Sequence, residues 1–271
     1  MKRLIISMFA VMLLAIPANA AWKAVDRVNT VGKNVITKNN LPAKTTFKVV
    51  DGVADNSNTA TTNVINISKD ELAFAGNDSE VAAVICTEIG NIINGKSAKD
   101  KLRNLAKTAI NSQLSSDNII STASNSEFVA NKTNLKDAKE ADINGLDLMI
   151  NAGYNPLALV VVITKHPGST LEAVQGKPAN SERAMNAYDY LTYNFPAKVK
   201  AGYGCQEYKA FLAYADPIVK ERTSNKKKLE KFNKEQEKNK VERAKKISQY
   251  KATGGVSGWD ASYMLLQGLS E

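Results

Sequence analysis

Apolar residues repeat with the 3.6-residue period of an α-helix in several parts of the chain. The clearest repeat is Val81, Val84, Ile85 and Ile89, which follows the polar residues 77–79 that form a helix cap. Further helices are predicted at 136–152, which ends at a Gly153 stop, at 156–162, and at 181–194. The chain is therefore predicted to be mostly helical.

The segment 22–70 has a different pattern. Apolar and polar residues alternate weakly here, and the segments 46–50 and 63–67 are predicted to be strands. The segment between them is rich in Asp, Asn, Thr and Gly, which predicts a loop or a hairpin. Ser68 and Glu71 form a capping box that predicts a short helix. The Ser-, Asn- and Thr-rich segment 112–134 is predicted to be a long loop.

The N-terminus has the pattern of a secretory signal peptide over residues 1–20. Lys2 and Arg3 precede an apolar run, and Ala18-Asn19-Ala20 supplies small residues for cleavage near Ala20-Ala21. The mature protein is expected to be exported, periplasmic or extracellular, and an uncleaved anchor is the alternative. Export disfavours a nucleic-acid partner.

Positive charge is concentrated near the C-terminus. The formal net charge is +9, and residues 220–251 contain 13 Lys or Arg against 5 Glu, a difference of +8. Opposite charges at helical spacing predict one long basic helix over about 218–251. It could bind an anionic surface or act as a solvated spacer. The predicted domains are 21–200 and a C-terminal extension, 201–271.

Histidine and cysteine counts exclude several kinds of site. His166 is the one histidine, so a zinc site with two histidines cannot form, and two cysteines cannot make a four-thiolate site. Export would permit a disulfide between Cys86 and Cys205. Burial of Cys86 in an apolar helix is the favoured interpretation.

Three motifs in the same order resemble the HtpX- and BepA-like zinc metallopeptidases (metallopeptidase family 48). The helix at 79–93 resembles the family's E-x-A-A-V-x-x-H-E-x-x-H helix. The segment from Glu140 to Met149, with Ala152-Gly153-Tyr154-Asn155-Pro156, resembles its E-A-D helix and A-G-Y-D-P turn. His166-Pro167 with Ser181-Glu182-Arg183 resembles its H-P-x-x-x-E-R motif. The resemblance implies an α+β zincin-like domain, mostly helical with a small β-sheet.

The same resemblance implies that the zinc ligands are missing. The two histidine positions are Thr87 and Asn91, and the position of the third ligand, four residues before Asp142, is Ala138. Glu88 retains the general-base position. Zinc is the family's metal, but hydroxyl, amide and methyl groups are poor ligands for it, so no cofactor is expected.

These features predict an exported pseudopeptidase of the cell envelope that binds a polypeptide or an envelope protein partner. Strand addition near Asn63, Ile65 and Ile67 is the predicted binding mode, and His166 and Arg183 are further binding candidates. Alternatives are a divergent peptidase with a rearranged metal site that uses Glu88 as general base, and an envelope scaffold or anionic-surface binder acting through 220–251. The sequence leaves the oligomeric state open.

Overall fold

The computed structural model describes residues 22–93, 119–168, 170–252 and 259. The predicted signal peptide lies outside these residues. The elements in chain order are α1 (Ala24–Lys38), β1 (Thr46–Val50), α2 (Thr59–Thr62), β2 (Val64–Ser68), α3 (Lys69–Leu72), α4 (Asp78–Ile93), α5 (Ile119–Asn151), α6 (Leu157–Lys165), α7 (Thr170–Val174), α8 (Ser181–Asn194), α9 (Pro196–Ala201), α10 (Gln206–Ser224) and α11 (Lys226–Ala252).

The described part of the chain is mostly helical with one small sheet, which confirms the α+β class. The two strands are parallel, with Thr46 opposite Val64, and a loop and α2 connect them. The sequence predicted a loop or a hairpin between the strands. A hairpin would make them antiparallel, so the prediction of a loop is the correct one.

Helix α1 lies in the segment 22–70, for which the sequence predicts weak alternation and no helix before Ser68. Val28, Val31, Val35 and Ile36 are buried, at the spacing of one helix face. β-branched residues such as these have a lower intrinsic helix propensity, and packing against the core outweighs it here. The prediction of weak alternation over 22–70 is therefore wrong for this segment.

Helix α4 forms the centre of the fold. It is buried on nearly all sides and packs against α1, α5 and α6. Gly90 and Gly145 allow α4 and α5 to approach closely: a Cβ on Gly90 would lie 2.4 Å from the Ala141 carbonyl oxygen, and one on Gly145 would lie 3.2 Å from the Cys86 carbonyl carbon. Since Gly90 lies near Ala141 and Cys86 lies near Gly145, the two helices run antiparallel. Asn77 and Ser68 cap α4 and α3 as predicted, accepting from the backbone N–H groups of Glu80 and Glu71.

Helix α5 is longer than predicted. It already includes residues 119–134, which were expected to be part of a loop. This stretch contains no Pro or Gly, and the low helix propensity of Ser, Asn and Thr is a weak preference that context can override. From residue 136 to its end at Asn151, before Gly153 with φ +81°, the helix agrees with the prediction.

The basic C-terminal segment is two helices rather than one. The chain is extended at Asn225, between α10 and α11, and the Asn225 side chain accepts a hydrogen bond from the backbone N–H of Lys228. An Asn side chain that caps a new helix explains the break, which charge spacing alone does not predict. No helix in the described ranges has both the length and the apolar character needed to cross a membrane.

Trp259 contacts the residue that precedes β1. It is 6% exposed, and its indole N–H donates to the Thr45 hydroxyl at 2.9 Å, directly before β1. The residues after Trp259 lie outside the described part of the chain.

Candidate functional site

Glu88 lies on α4 and is buried. Its Oε2 accepts a hydrogen bond from the Asn56 side-chain amide at 2.9 Å, and its Oε1 accepts one from the Asn91 amide at 3.2 Å. Asn91 is one turn further along the same helix, whereas Asn56 comes from the loop between β1 and α2. The carboxylate is therefore held between two neutral amide donors.

The three positions that the resemblance assigned to zinc ligands carry no zinc-binding group. Thr87 and Asn91 are half-buried on α4, and Ala138 is half-buried on α5, one turn before Asp142. The Asn91 amide donates to Glu88. No group of three or more His, Cys, Asp or Glu side chains suited to a metal ion occurs among the residues that the structure describes. The residues at this position do not fit a catalytic zinc ion.

Arg183, which is partly exposed, forms an ion pair with the buried Asp142. Asp142 is fully buried, and it accepts two hydrogen bonds from the guanidinium, at 3.0 and 2.7 Å. Burial disfavours the Arg183 cation, but the charge and hydrogen bonds of Asp142 outweigh burial and raise its pKa. This pair connects α5 to α8, so Arg183 has a structural role whether or not it also binds a partner.

His166 ends α6, and its ring packs against Phe74 with the ring centroids 4.6 Å apart. The buried Nε2 has no hydrogen-bond partner within the described ranges. Burial lowers the pKa of His166, and the positive charge of Arg183 lowers it further. The neutral form of His166 is therefore favoured beside Phe74. His166 and Arg183, two of the predicted binding residues, lie in the same region.

Hydrogen-bond direction in the sheet decides which residues of β2 can receive another strand. The Asn63 carbonyl accepts from the Thr46 N–H, and the parallel register then directs the backbone groups of Asn63, Ile65 and Ile67 toward β1. The Ile65 and Ile67 side chains are fully buried. The backbone N–H and C=O groups on the outer edge of β2 therefore belong to Val64 and Asn66. The prediction that Asn63, Ile65 and Ile67 would receive an added strand is wrong.

Side chains of the preceding segment bond these outward groups. The Val64 N–H donates to the Thr62 hydroxyl at 3.2 Å, and its carbonyl accepts from the Thr59 hydroxyl at 2.9 Å. The Asn66 N–H donates to Asn56 Oδ1 at 2.7 Å, and its carbonyl accepts from Asn56 Nδ2 at 3.0 Å. Sequence reasoning missed Asn56, since nothing in an Asn-rich loop distinguishes the residue that reaches the strand.

The two cysteines are free. Cys86 is fully buried on α4, and burial raises the pKa of its thiol. The Cys205 sulfur accepts a hydrogen bond from the backbone N–H of Tyr208 at the start of α10. Burial of Cys86 agrees with the favoured interpretation, and the two thiols do not form a disulfide in this structure.

Comparison of the chain with protein-family models, with curated proteins and with solved structures found no match.

Proposed function

We propose that this chain is an exported, non-catalytic protein of the metallopeptidase family 48 type, with a zincin-like fold, that binds a polypeptide segment without cutting it. The observation that carries the proposal is the environment of Glu88. Its carboxylate accepts hydrogen bonds from the amides of Asn56 and Asn91, and the neighbouring ligand positions hold Thr87, Asn91 and Ala138.

This environment favours binding over catalysis. A general base must reach the proton of the attacking water, and in zinc peptidases the metal makes that water acidic. Both oxygens of Glu88 already accept hydrogen bonds from amide donors. Without thiolate, imidazole or carboxylate ligands at the three positions, zinc has no set of donors that it prefers.

The proposed binding mode is strand addition to the outer edge of β2. An extended segment would pair with the backbone of Val64 and Asn66 by replacing the side chains that bond these groups in the free protein. This edge is close to Glu88, because Asn56 contacts both Asn66 and Glu88. Main-chain hydrogen bonds give such a contact affinity for many sequences, and side-chain pockets add selectivity. A polypeptide is thus the class of partner that the sheet edge fits best.

Fluorescein-labelled β-casein, an unfolded polypeptide, tests this function. We expect a saturable rise in fluorescence anisotropy with the mature protein and no casein fragments after incubation with zinc. Glu88→Gln and the matched control Glu230→Gln, on the exposed face of α11, should both leave the casein intact. Casein cleavage that Glu88→Gln abolishes and Glu230→Gln preserves would contradict the proposal and establish a divergent metallopeptidase with Glu88 as general base.

Metal content gives an independent test. After chelation and re-addition of zinc, we expect elemental mass spectrometry to find almost no zinc on the purified mature protein. Stoichiometric zinc that is lost on replacement of Glu88 or Glu140 would contradict the proposal, since it would require a rearranged metal site.

A second candidate function is binding of an anionic envelope surface through α11. Half-buried residues recur along one face of this helix, at Leu229, Phe232, Gln236 and Arg243. Phe232 packs against the Arg222 guanidinium, which lies 3.7 Å from the ring centroid, and Arg243 donates a hydrogen bond to the buried Asp147. This face is thereby docked on the folded domain.

The remaining faces of α11 carry the positive charge. All eight lysines between 226 and 245 are exposed, together with four glutamates. Clustered lysines attract anionic lipid in a salt-dependent manner. We expect sedimentation with phosphatidylglycerol vesicles at low salt and release at high salt. Binding that persists at high salt, or after exchange of Lys227, Lys231 and Lys234 for Gln, would rule out this candidate.

A further inference from the structure

The side chain of Asn56 imitates a peptide group at the outer edge of β2. In an antiparallel sheet, two directly opposed residues of a hydrogen-bonded pair exchange two N–H···O bonds. Asn56 makes the same exchange with Asn66 through its side-chain amide, at 2.7 and 3.0 Å. The amide thus occupies the position that a residue of an added strand would take.

The orientation of this amide is set by its surroundings. Nδ2 has two hydrogens: one bonds the Asn66 carbonyl, and the other bonds Glu88 Oε2 at 2.9 Å. An exchanged orientation would place Nδ2 against the Asn66 N–H and Oδ1 against a carboxylate, so it would lose all three hydrogen bonds. Asn56 therefore joins the strand edge to the general-base position in a single contact.

The segment that carries Asn56 is attached to the strand through side-chain hydrogen bonds. Residues 51–58 make no backbone–backbone hydrogen bond to β2, and the structure describes every residue of the two segments. Their bonds to the strand involve side chains, including that from Asn66 Nδ2 to the Asp55 carbonyl. The tip of the loop is open to solvent, and Val53 is 95% exposed. The loop can therefore leave the edge without breaking a sheet ladder.

We infer that Asn56 is an intramolecular latch on the polypeptide-binding edge of β2. An incoming extended segment takes the place of the Asn56 amide on Asn66, and Glu88 loses the Asn56 donor in the same step. This inference rests on the proposed function, since it concerns the same edge and the same class of partner. It makes the free protein a weak binder, because each bound segment must first displace the latch.

The test compares Asn56→Ala with Asn58→Ala, using fluorescein-labelled β-casein. Asn58 is in the same loop and exposed, and its side chain does not cap α2. We expect the dissociation constant of Asn56→Ala to be at least about tenfold lower than that of the wild type, since no hydrogen bonds to the latch have to be broken. Asn58→Ala should stay within about twofold of the wild type.

Hydrogen exchange at the Asn66 amide locates the effect. We expect this amide to be protected in the wild type, to exchange faster in Asn56→Ala, and to be protected again when β-casein is added to that variant. If Asn56→Ala is poorly folded by circular dichroism, Asn56→Asp replaces it. This variant keeps the side-chain size, but it repels Glu88 and cannot donate to the Asn66 carbonyl.

The outcomes separate the latch from the function. If all variants bind β-casein equally, and the Asn66 amide of Asn56→Ala becomes protected on binding, strand addition stands and the latch is refuted. If none of the variants binds β-casein, the proposed function fails, and the latch fails with it. Tighter binding by both Asn56→Ala and Asn58→Ala would also refute the latch, because it would point to general loosening of the loop.

Discussion

Arg183 offers a direct test of whether burial determines the strength of an ion pair in this fold. Its guanidinium donates two hydrogen bonds to Asp142, which has no solvent exposure. Removing one partner of a buried pair leaves an uncompensated charge in the core and costs about 3–5 kcal/mol. For a domain of this size, Arg183→Ala should therefore lower Tm by roughly 6–20 °C.

Arg27→Ala is the matched control. Arg27 makes the same two-bond contact with Asp78, at 2.8 and 2.7 Å, but the two side chains are 38% and 40% exposed. Exposed pairs contribute about 0–1 kcal/mol, so the expected loss is a few degrees at most. The assay is thermal and urea unfolding of both variants, followed by circular dichroism at 222 nm.

The refuting result is an equally small loss of stability in both variants. It would mean that Asp142 is protonated or hydrated in the folded state, and Arg183 would then be available to bind a partner. Replacing both charges, by Asp142→Leu with Arg183→Met, should recover most of the lost stability, because apolar side chains of similar size remove the desolvation cost.

Three further predictions concern single groups. Gly90→Ala should destabilise the protein by about 1–3 kcal/mol in urea unfolding, because its Cβ would lie 2.4 Å from the Ala141 carbonyl oxygen and would force the two helix backbones apart; wild-type stability would contradict the close approach. The Hε1 proton of His166 should titrate in NMR with a pKa below its ordinary 6.5, owing to burial and to Arg183. Because the folded-state pKa is lowered, the stability that neutral His166 contributes should be complete above about pH 6.5 and should decline as the pH falls toward the folded pKa; a pKa at or above 6.5 would contradict this. Cys86 should resist Ellman's reagent in the native state, since it is buried and burial raises its pKa. Cys205, which is only partly buried, should react, and equal rates for the two thiols would contradict the packing of α4.

Local signals were sufficient to predict many of the helices. The apolar period and polar cap at 77–79 identified α4, the Ser68 capping box identified α3, and α8 has the predicted bounds 181–194. Helix α1 was missed although Val28 and Val31 have helical spacing, because the whole segment 22–70 was interpreted as weakly alternating. The long loop over 112–134 failed for the reverse reason, since a polar composition does not prevent a helix over residues 119–134.

The candidate site was less accessible to sequence reasoning. The residue types at Thr87, Glu88 and Asn91 can be read directly, because they lie on one helix at fixed spacing. The availability of a strand edge depends on which strand pairs with it and in which register, and both are non-local. Asn56 illustrates this limit: its contacts join a loop, a strand and a helix that lie apart in sequence.

The contact of Trp259 with Thr45 provides the protein with its own optical probe. The chain has two tryptophans; Trp259 is 6% exposed, and Trp22 is 45% exposed. An indole shielded from water emits at shorter wavelength than a hydrated one, so the two emissions are distinguishable without a label. In a Trp22→Phe protein, the tryptophan fluorescence would come from Trp259 alone. A red shift of this emission before the loss of the helical circular-dichroism signal would show that Trp259 leaves Thr45 before the core unfolds.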